Sequence, residues 1–316
     1  MKVYCVQYSA HAGKWIYDGY RSAWQDLGYE LTEPEKQKIS NEMLMLNVIP
    51  INQTAYNEDY IMMSADSLIQ GDKDLLALSN ANKAFVFVQP NSYPDPWGRH
   101  GNFVTIAPNQ IINEINKMDN VHYWTFANVE QKYYKKWKKP IHTVPLAFDH
   151  LNYKPEKNEK YQKFDISFVG GWANNGFDEK RSIIVDIFSK FMKSGLKCGF
   201  FVNKNLTHKQ ECDLLANSKL TLNIHDAYQR VLGLDTNERT FKSLGLNGLM
   251  VSDKVKQLNE IFPDIATSLD SDELVSVTKE ILSLTESERE NMREESRQNI
   301  LDNHCYTHRI QTLLNL

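Results

Sequence analysis

The densest set of side chains able to hold an anion lies between Lys219 and Asp253, in the run KLTLNIHDAYQRVLGLDTNERTFKSLGLNGLMVSD. Asn223 and His225 alternate at the end of an apolar run and so share one side of a strand, while Asn237, Glu238, Arg239 and Lys242 stand at or just inside the following helix. A helix amino terminus offers unpaired N–H groups and the positive end of its dipole. A diphosphate set there between Arg239 and Lys242 would be stabilised, with Asn223 and His225 at hand for the hydroxyls of a sugar or ribose. The same residues admit a plainer reading, in which Asn237 only caps the helix and Glu238 and Lys242 form an i,i+4 surface pair.

Other clusters carry chemistry of their own. Phe168-Val169-Gly170-Gly171 ends a strand with two glycines, whose missing side chains let backbone N–H groups approach a phosphate or ribose. Arg181, at the start of the next helix, would add a charge-assisted contact; a simple turn and a surface arginine account for both as well. QPNSYPDPWGRHGNF, at 89–103, follows an apolar strand and brings Asp95, Arg99 and His100 together with Trp97. These are candidates for a general base or for acceptor contacts, and a rigid proline-rich connection is the alternative. KYYKKWKKP, at 132–140, interleaves five lysines with Tyr133, Tyr134 and Trp137. It reads either as a polyanion surface or as a helix end whose aromatics pack inward and whose lysines face water.

His11 and Lys14 flank a strand-to-helix turn, but neither G-x-G-x-x-G nor G-x-x-x-x-G-K-[ST] is present, so no dinucleotide fingerprint or P-loop is expected. His304 and His308 are one helical turn apart without the glutamate of H-E-x-x-H, and no metal site is expected there.

The elements that must position these residues follow from length and periodicity. A chain of 316 residues is long enough for about two domains. The formal charge of -4 argues against a surface given over wholly to polyanion binding, though not against a local basic patch. Cys5, Cys198, Cys212 and Cys305 lie far apart without C-x-x-C spacing and read as reduced thiols. With no apolar run long enough to span a bilayer and too short a one at the amino terminus for a signal peptide, a soluble, cytoplasmic protein is expected.

Short apolar runs at 3–8, 44–51, 60–64, 84–89 and 121–126 alternate with helical patterns, among them 108–117 and 129–137. Strands apolar on both faces, alternating with helices, predict an α/β protein with parallel sheets covered on both sides. The second half repeats the order: strand from 164, helix 178–193, strand 196–202, helix 207–217, strand 220–224, a polar loop with His225, Asp226 and Arg230, helix from Asn237, strand 248–251. The predicted organisation is a Rossmann-like first domain at 1–151, a Pro-, Lys- and Asn-rich linker at 152–163 and a second Rossmann-like domain at 164–302. A closing helix, about 303–316, would pack back on the first domain.

The order of DISFVGG, an arginine at a helix start, SKLTLNIH, N-x-R-x-F within TNERTFKSLGLNGLMVSD, and HCYTHR resembles the CgeB-type glycosyltransferases, relatives of the group 1 glycosyltransferases. The resemblance runs from Asp165 to Arg309 and implies a GT-B fold, two Rossmann-like domains facing across a cleft. A nucleoside diphosphate sugar would be held mainly by the second domain and an acceptor by the first, with no obligatory metal or other cofactor. It implies that Gly170 and Gly171 approach the donor, Asn223 and His225 line its pocket and Arg239 contacts the diphosphate, and it makes HCYTHR a packing motif. The implied activity is hexosyl or pentosyl transfer to a surface glycan, or to a hydroxymethylated DNA base as in phage enzymes, with Trp97 and Arg99 on the acceptor side.

If the reaction inverts, Asp95 is the first candidate for the base, with His100 and His11 behind it. If it retains, no dedicated base is needed. Where the family has a glutamate after the phenylalanine, suited to ribose hydroxyls, this chain has Lys242; Glu238 one turn earlier replaces it, or the donor differs. A non-catalytic nucleotide-sugar binding protein of the same fold is the alternative.

Overall fold

The structure, a computed structural model, describes residues 1–8, 11–32, 48–49, 58–68, 71–99, 103–172, 179–204 and 206–316. Its contacts divide the chain into two units, Met1–Pro145 with Tyr306–Leu316, and Leu146–Cys305.

The first unit opens with β1 (Lys2–Cys5), β2 (Gln7–Tyr8) and α1 (His11–Asp26), then β3 (Glu30–Leu31), β4 (Val48–Ile49) and β5 (Tyr60–Ser64). It continues through α2 (Asp72–Asn80), β6 (Lys83–Phe87), α3 (Asn109–Ile115), β7 (Val121–Thr125) and β8 (Ile141–Thr143). Six strands form one sheet in the order β3-β1-β5-β6-β7-β8, every neighbouring pair parallel. Its central strands bury consecutive side chains: Tyr4, Cys5, Ile61, Met62, Phe85, Val86, Tyr123 and Trp124 are each at most 1% exposed. Only a sheet covered on both faces hides both members of each such pair. On α1 the residues Ile16, Tyr17, Tyr20, Ala23 and Trp24 recur at helical spacing and are all buried.

The second unit runs α4 (Glu159–Gln162), β9 (Ile166–Gly170), α5 (Glu179–Lys193), β10 (Cys198–Val202), α6 (His208–Asn217), β11 (Leu220–Asn223), α7 (Ala227–Leu232) and α8 (Glu238–Leu246). After these come β12 (Met250–Ser252), α9 (Lys256–Ile261), β13 (Ala266–Thr267), α10 (Ser271–Ser283) and α11 (Glu286–Asn303). Its five strands are all parallel, in the order β10-β9-β11-β12-β13. Ile166, Phe168, Leu220, Leu222 and Val251 from the sheet meet Ile184, Ile187 and Phe191 of α5 and Leu274 of α10 in one core. The last helix, α12 (Tyr306–Leu314), belongs to the first unit, where the Tyr306 ring lies 4.6 Å from that of Tyr20. A side chain on Gly19 would collide with Tyr306, its Cβ 2.5 Å from the ring.

Some predicted elements differ. The expected helix at 129–137 is a short 3-10 turn, Gln131–Tyr133, followed by further i,i+3 turns. Tyr134 and Trp137 are 0% and 4% exposed while Lys132, Lys135, Lys136 and Lys138 remain at the surface, so the aromatics belong to the core and not to a stacking platform. The polar loop after Asn223 contains a short helix, α7, opened by an Asp226–Gln229 capping box and closed by Gly233 at φ 71°. Of the expected strand at 44–51, only Val48–Ile49 lies within the described residues.

Candidate functional site

The site is built where β9 and β11 end and α8 begins. Asn237 caps α8, its side chain accepting from the Thr240 N–H, and donates through Nδ2 to the Ile224 carbonyl at 3.2 Å. That bond ties the helix start to the end of β11. Two residues after the cap, Arg239 crosses to β9: its Nε donates to the Val169 carbonyl at 2.7 Å, and one Nη donates to the Ile224 carbonyl at 3.1 Å and to Asn223 Oδ1 at 3.3 Å. The guanidinium lies 4.8 Å over the Phe168 ring.

Its other Nη has no hydrogen-bond partner among the described residues and points past Gly170, whose missing side chain makes the space. A Cβ there would lie 2.5 Å from that nitrogen. The plane of the guanidinium is thus fixed by three protein acceptors, leaving one edge to donate to something else.

A second cation stands nearby. Lys180, on the first turn of α5, reaches Asp226 at 2.9 Å. Burial holds its ammonium below the ordinary lysine range, and the charge of Arg239 adds to this in spite of Asp226. Burial likewise lowers the pKa of Arg239, against the pull of Glu211, Glu238, Asp226 and Asp253, so the two cations are poorly served by water, and an anion that reached them would replace lost hydration.

Beneath them is a buried polar network. Asn223, His225, Thr236, Thr240 and Asp253 are each at most 1% exposed. His225 Nδ1 is 2.6 Å from Asp253 Oδ1 and Nε2 is 2.8 Å from Thr236 Oγ1, so both ring nitrogens are engaged. Burial alone would raise the Asp253 carboxyl, but the His225 ring and backbone N–H, with Arg230, outweigh it and hold the group below the usual carboxylate range.

Lys242 lies one turn beyond Glu238 in a different setting. It is 5% exposed, 2.7 Å from Glu211 and 3.2 Å from Glu238, with its ammonium 5.5 Å over the Tyr153 ring. The i,i+4 pair read from the sequence therefore exists but is buried. Burial opposes the Lys242 charge, yet the two carboxylates raise its pKa above the ordinary value, and Lys242 in turn lowers that of Glu211.

The remaining sequence candidates are scattered. Gly171 follows Gly170 just after β9, and Arg181 stacks 5.7 Å over Trp172 on the exposed side of α5. In the first unit Trp97 is 7% exposed, an interior residue of the proline-rich loop. That loop is braced by the Trp137 Nε1 bond to the Gln89 carbonyl and the Lys136 N–H bond to Asn91, both 2.8 Å. Asp95 sits on its exposed face. His100 lies outside the described residues, as do the side chains of His11 and Arg99.

Residues 162–315 match the family model of glycosyl transferase-like proteins. The matched stretch takes in Gly170, Lys180, Asn223 and Arg239, the residues just brought together. Two solved structures align over 99% of this chain at a TM-score of 0.59. One is a trehalose-6-phosphate structure from E. coli bound with UDP-2-fluoro glucose, 11% identical and covered over 98% of its length. The other is an alpha-glucosyltransferase in complex with UDP-glucose and DNA containing an abasic site, 10% identical and covered over 97%. The chain spans 54% of S. aureus TarM, at 11% identity and a TM-score of 0.49. No curated protein sequence matches. The likeness to the two full-length structures is one of fold: two parallel-sheet units of the GT-B class.

Sequence reasoning missed Lys180, Asp253, Thr236 and Thr240. Lys180 was legible: Ile184, Ile187 and Phe191 set the buried stripe of α5, and four residues before Ile184 falls on that stripe, whereas Arg181 is rotated by about 100°. The two threonines carried no signal, since only the fold brings α8 and the loop before it against β11.

Proposed function

We propose that the chain is a nucleotide-sugar-dependent glycosyltransferase of the CgeB type, moving a sugar from a nucleoside diphosphate to an acceptor hydroxyl. The observation that carries this reading is the free edge of the Arg239 guanidinium, aimed past Gly170 at the start of α8 within the stretch that matches the family. A diphosphate at this place accepts from Arg239, meets the Lys180 charge and faces the positive end of the α8 dipole, so its development as leaving group is stabilised by groups already in position.

Gly170 and Gly171 border the phosphates, Asn237 and Glu238 lie at the helix start, and Arg181 stays outside on Trp172. Asn223 and His225 act from beneath by holding Arg239. Glu238 takes the ribose contact that Lys242 cannot make. Asp95, with His100 or His11, is the proposed base should the reaction invert. The acceptor is a glycan or a modified DNA base. UDP-glucose and DNA in one full-length structural neighbour favour testing DNA, and the burial of Tyr134 and Trp137 favours the glycan.

Thermal-shift screening against nucleoside diphosphates and their sugars tests the donor site, because a ligand that binds only the folded chain raises its melting temperature. A folded protein that shifts with none of them overturns the reading. Binding without transfer or hydrolysis, with glycan and hydroxymethylated DNA acceptors supplied, points instead to a non-catalytic binding protein. Turnover is expected to persist in EDTA.

A further inference from the structure

We infer that Asp253, fully enclosed in the second unit, acts as a positioning residue for nucleotide binding: a one-way hydrogen-bond relay through His225, Thr236, Thr240 and Asn223 fixes the guanidinium of Arg239. The inference rests on the donor-site reading above and assigns its supports.

The direction of the relay is set at both ends. Arg239 can only donate, so the Asn223 carbonyl oxygen faces it at 3.3 Å and the Asn223 amide nitrogen is turned the other way. There Nδ2 donates to Thr240 Oγ1 at 2.9 Å and lies 3.5 Å from His225 Nε2, a distance that suits a bare lone pair and not a second N–H. The single Thr240 hydroxyl proton has two acceptors in reach, Thr236 Oγ1 at 2.6 Å and Asn237 Oδ1 at 3.4 Å; along the shorter it donates to Thr236, and Thr236 donates to His225 Nε2 at 2.8 Å. An accepting Nε2 leaves the ring proton on Nδ1, which donates at 2.6 Å to Asp253 Oδ1.

The carboxylate also accepts the His225 backbone N–H, at 3.1 and 3.0 Å to its two oxygens, and lies 3.6 Å from Arg230. With the His225 ring neutral and Thr240 donating along its shorter bond, an acceptor-only group at one end and a donor-only group at the other are joined by one consistent run of donors. Reversal of the two threonine links would put a proton on His225 Nε2 and move the Thr240 proton to its longer contact, 3.4 Å to Asn237 Oδ1, leaving Thr240 Oγ1 to accept twice and loosening its hold on the Asn223 amide.

Two measurements test this. Nitrogen-15 NMR of the unaltered protein should find His225 protonated on Nδ1 alone; an Nε2-protonated tautomer overturns the relay. Thr236→Val and Thr240→Val preserve side-chain shape and should each weaken UDP binding by about five- to tenfold. The double variant should be no weaker than the worse single one, because links in series fail together, and Thr236→Ser and Thr240→Ser should restore affinity. Folded valine variants with unchanged affinity, or losses that simply add, overturn the inference and leave the donor site standing. Failure of the unaltered protein to bind UDP or any other nucleoside diphosphate overturns the donor site, and the relay's role with it. If the valine variants do not fold, the His225 tautomer decides.

Discussion

Arg239 and Lys242 stand three residues apart on α8; Arg239 takes its partners from the ends of β9 and β11, and Lys242 from α6 and from Glu238 on its own helix. Lys242 is closed off by two carboxylates, Glu211 and Glu238, so its charge is more than compensated inside the chain. Arg239 is held by two backbone carbonyls and one amide oxygen, which fix its plane, while Glu211, Glu238, Asp226 and Asp253 act on its charge only from a distance. Both residues are cations near a helix start, and the sequence offered both for a diphosphate. What separates them is the nature of the acceptors around each: neutral oxygens orient a cation and leave its field for a ligand, while carboxylates consume it.

The sharpest way to break this contrast is Arg239→Ala, for which UDP affinity should fall by about a hundredfold or more, measured by calorimetry. Retained binding would move the anion site elsewhere. Lys242→Ala should show the opposite pattern. It leaves Glu211 and Glu238 facing each other where water has poor access, costing about 3 kcal/mol of stability in urea unfolding, while nucleotide affinity of the folded protein falls far less than in Arg239→Ala. A loss of affinity without a loss of stability would place Lys242 on the ligand. Gly170→Ala puts a Cβ against the Arg239 Nη and should weaken UDP binding by about tenfold with a near-normal unfolding midpoint.

The smallest expected effect concerns pH. The Asp235 carboxyl is pushed up to about 6 by burial, which the bonds from Gln229 and Tyr228 only partly offset. The folded chain therefore keeps this proton at pH values where the unfolded chain has lost it. The stability the group contributes is present below the unfolded value of 3.8 and is lost as pH rises through about 6. Asp235→Asn should remove that slope, so that between pH 4 and 7 the variant gains on the parent in urea midpoint. Parallel pH profiles would show that Asp235 does not titrate in this range.

Much of this was legible in the sequence, for reasons that differ by region. The strand at 60–64 and the helix from about 178 coincide with β5 and α5 because a doubly covered strand and a striped helix leave periods that no other structure produces. The stretch 129–137 misled because aromatics at i and i+3 suit an α-helix and a chain of 3-10 turns equally, and Pro140 leaves little length for either. The helix α7 was overlooked although Asp226, Gln229 and Gly233 spell a capping box and a left-handed stop. At the site, Asn237 and Arg239 could be picked out by type and place. The burial of Lys242 and the threonine relay could not, because both depend on which element lies across from α8.

The return of α12 to the first unit, where Tyr306 seats against Gly19 and Tyr20, has a consequence for biosynthesis. Domains emerging from a ribosome ordinarily finish in the order in which they are made. Here the unit at Leu146–Cys305 has its whole complement of residues before the first unit receives Tyr306–Leu316. The earlier-made sheet therefore waits, with the side of α1 that receives Tyr306 uncovered, until the segment Tyr306–Leu316 has emerged.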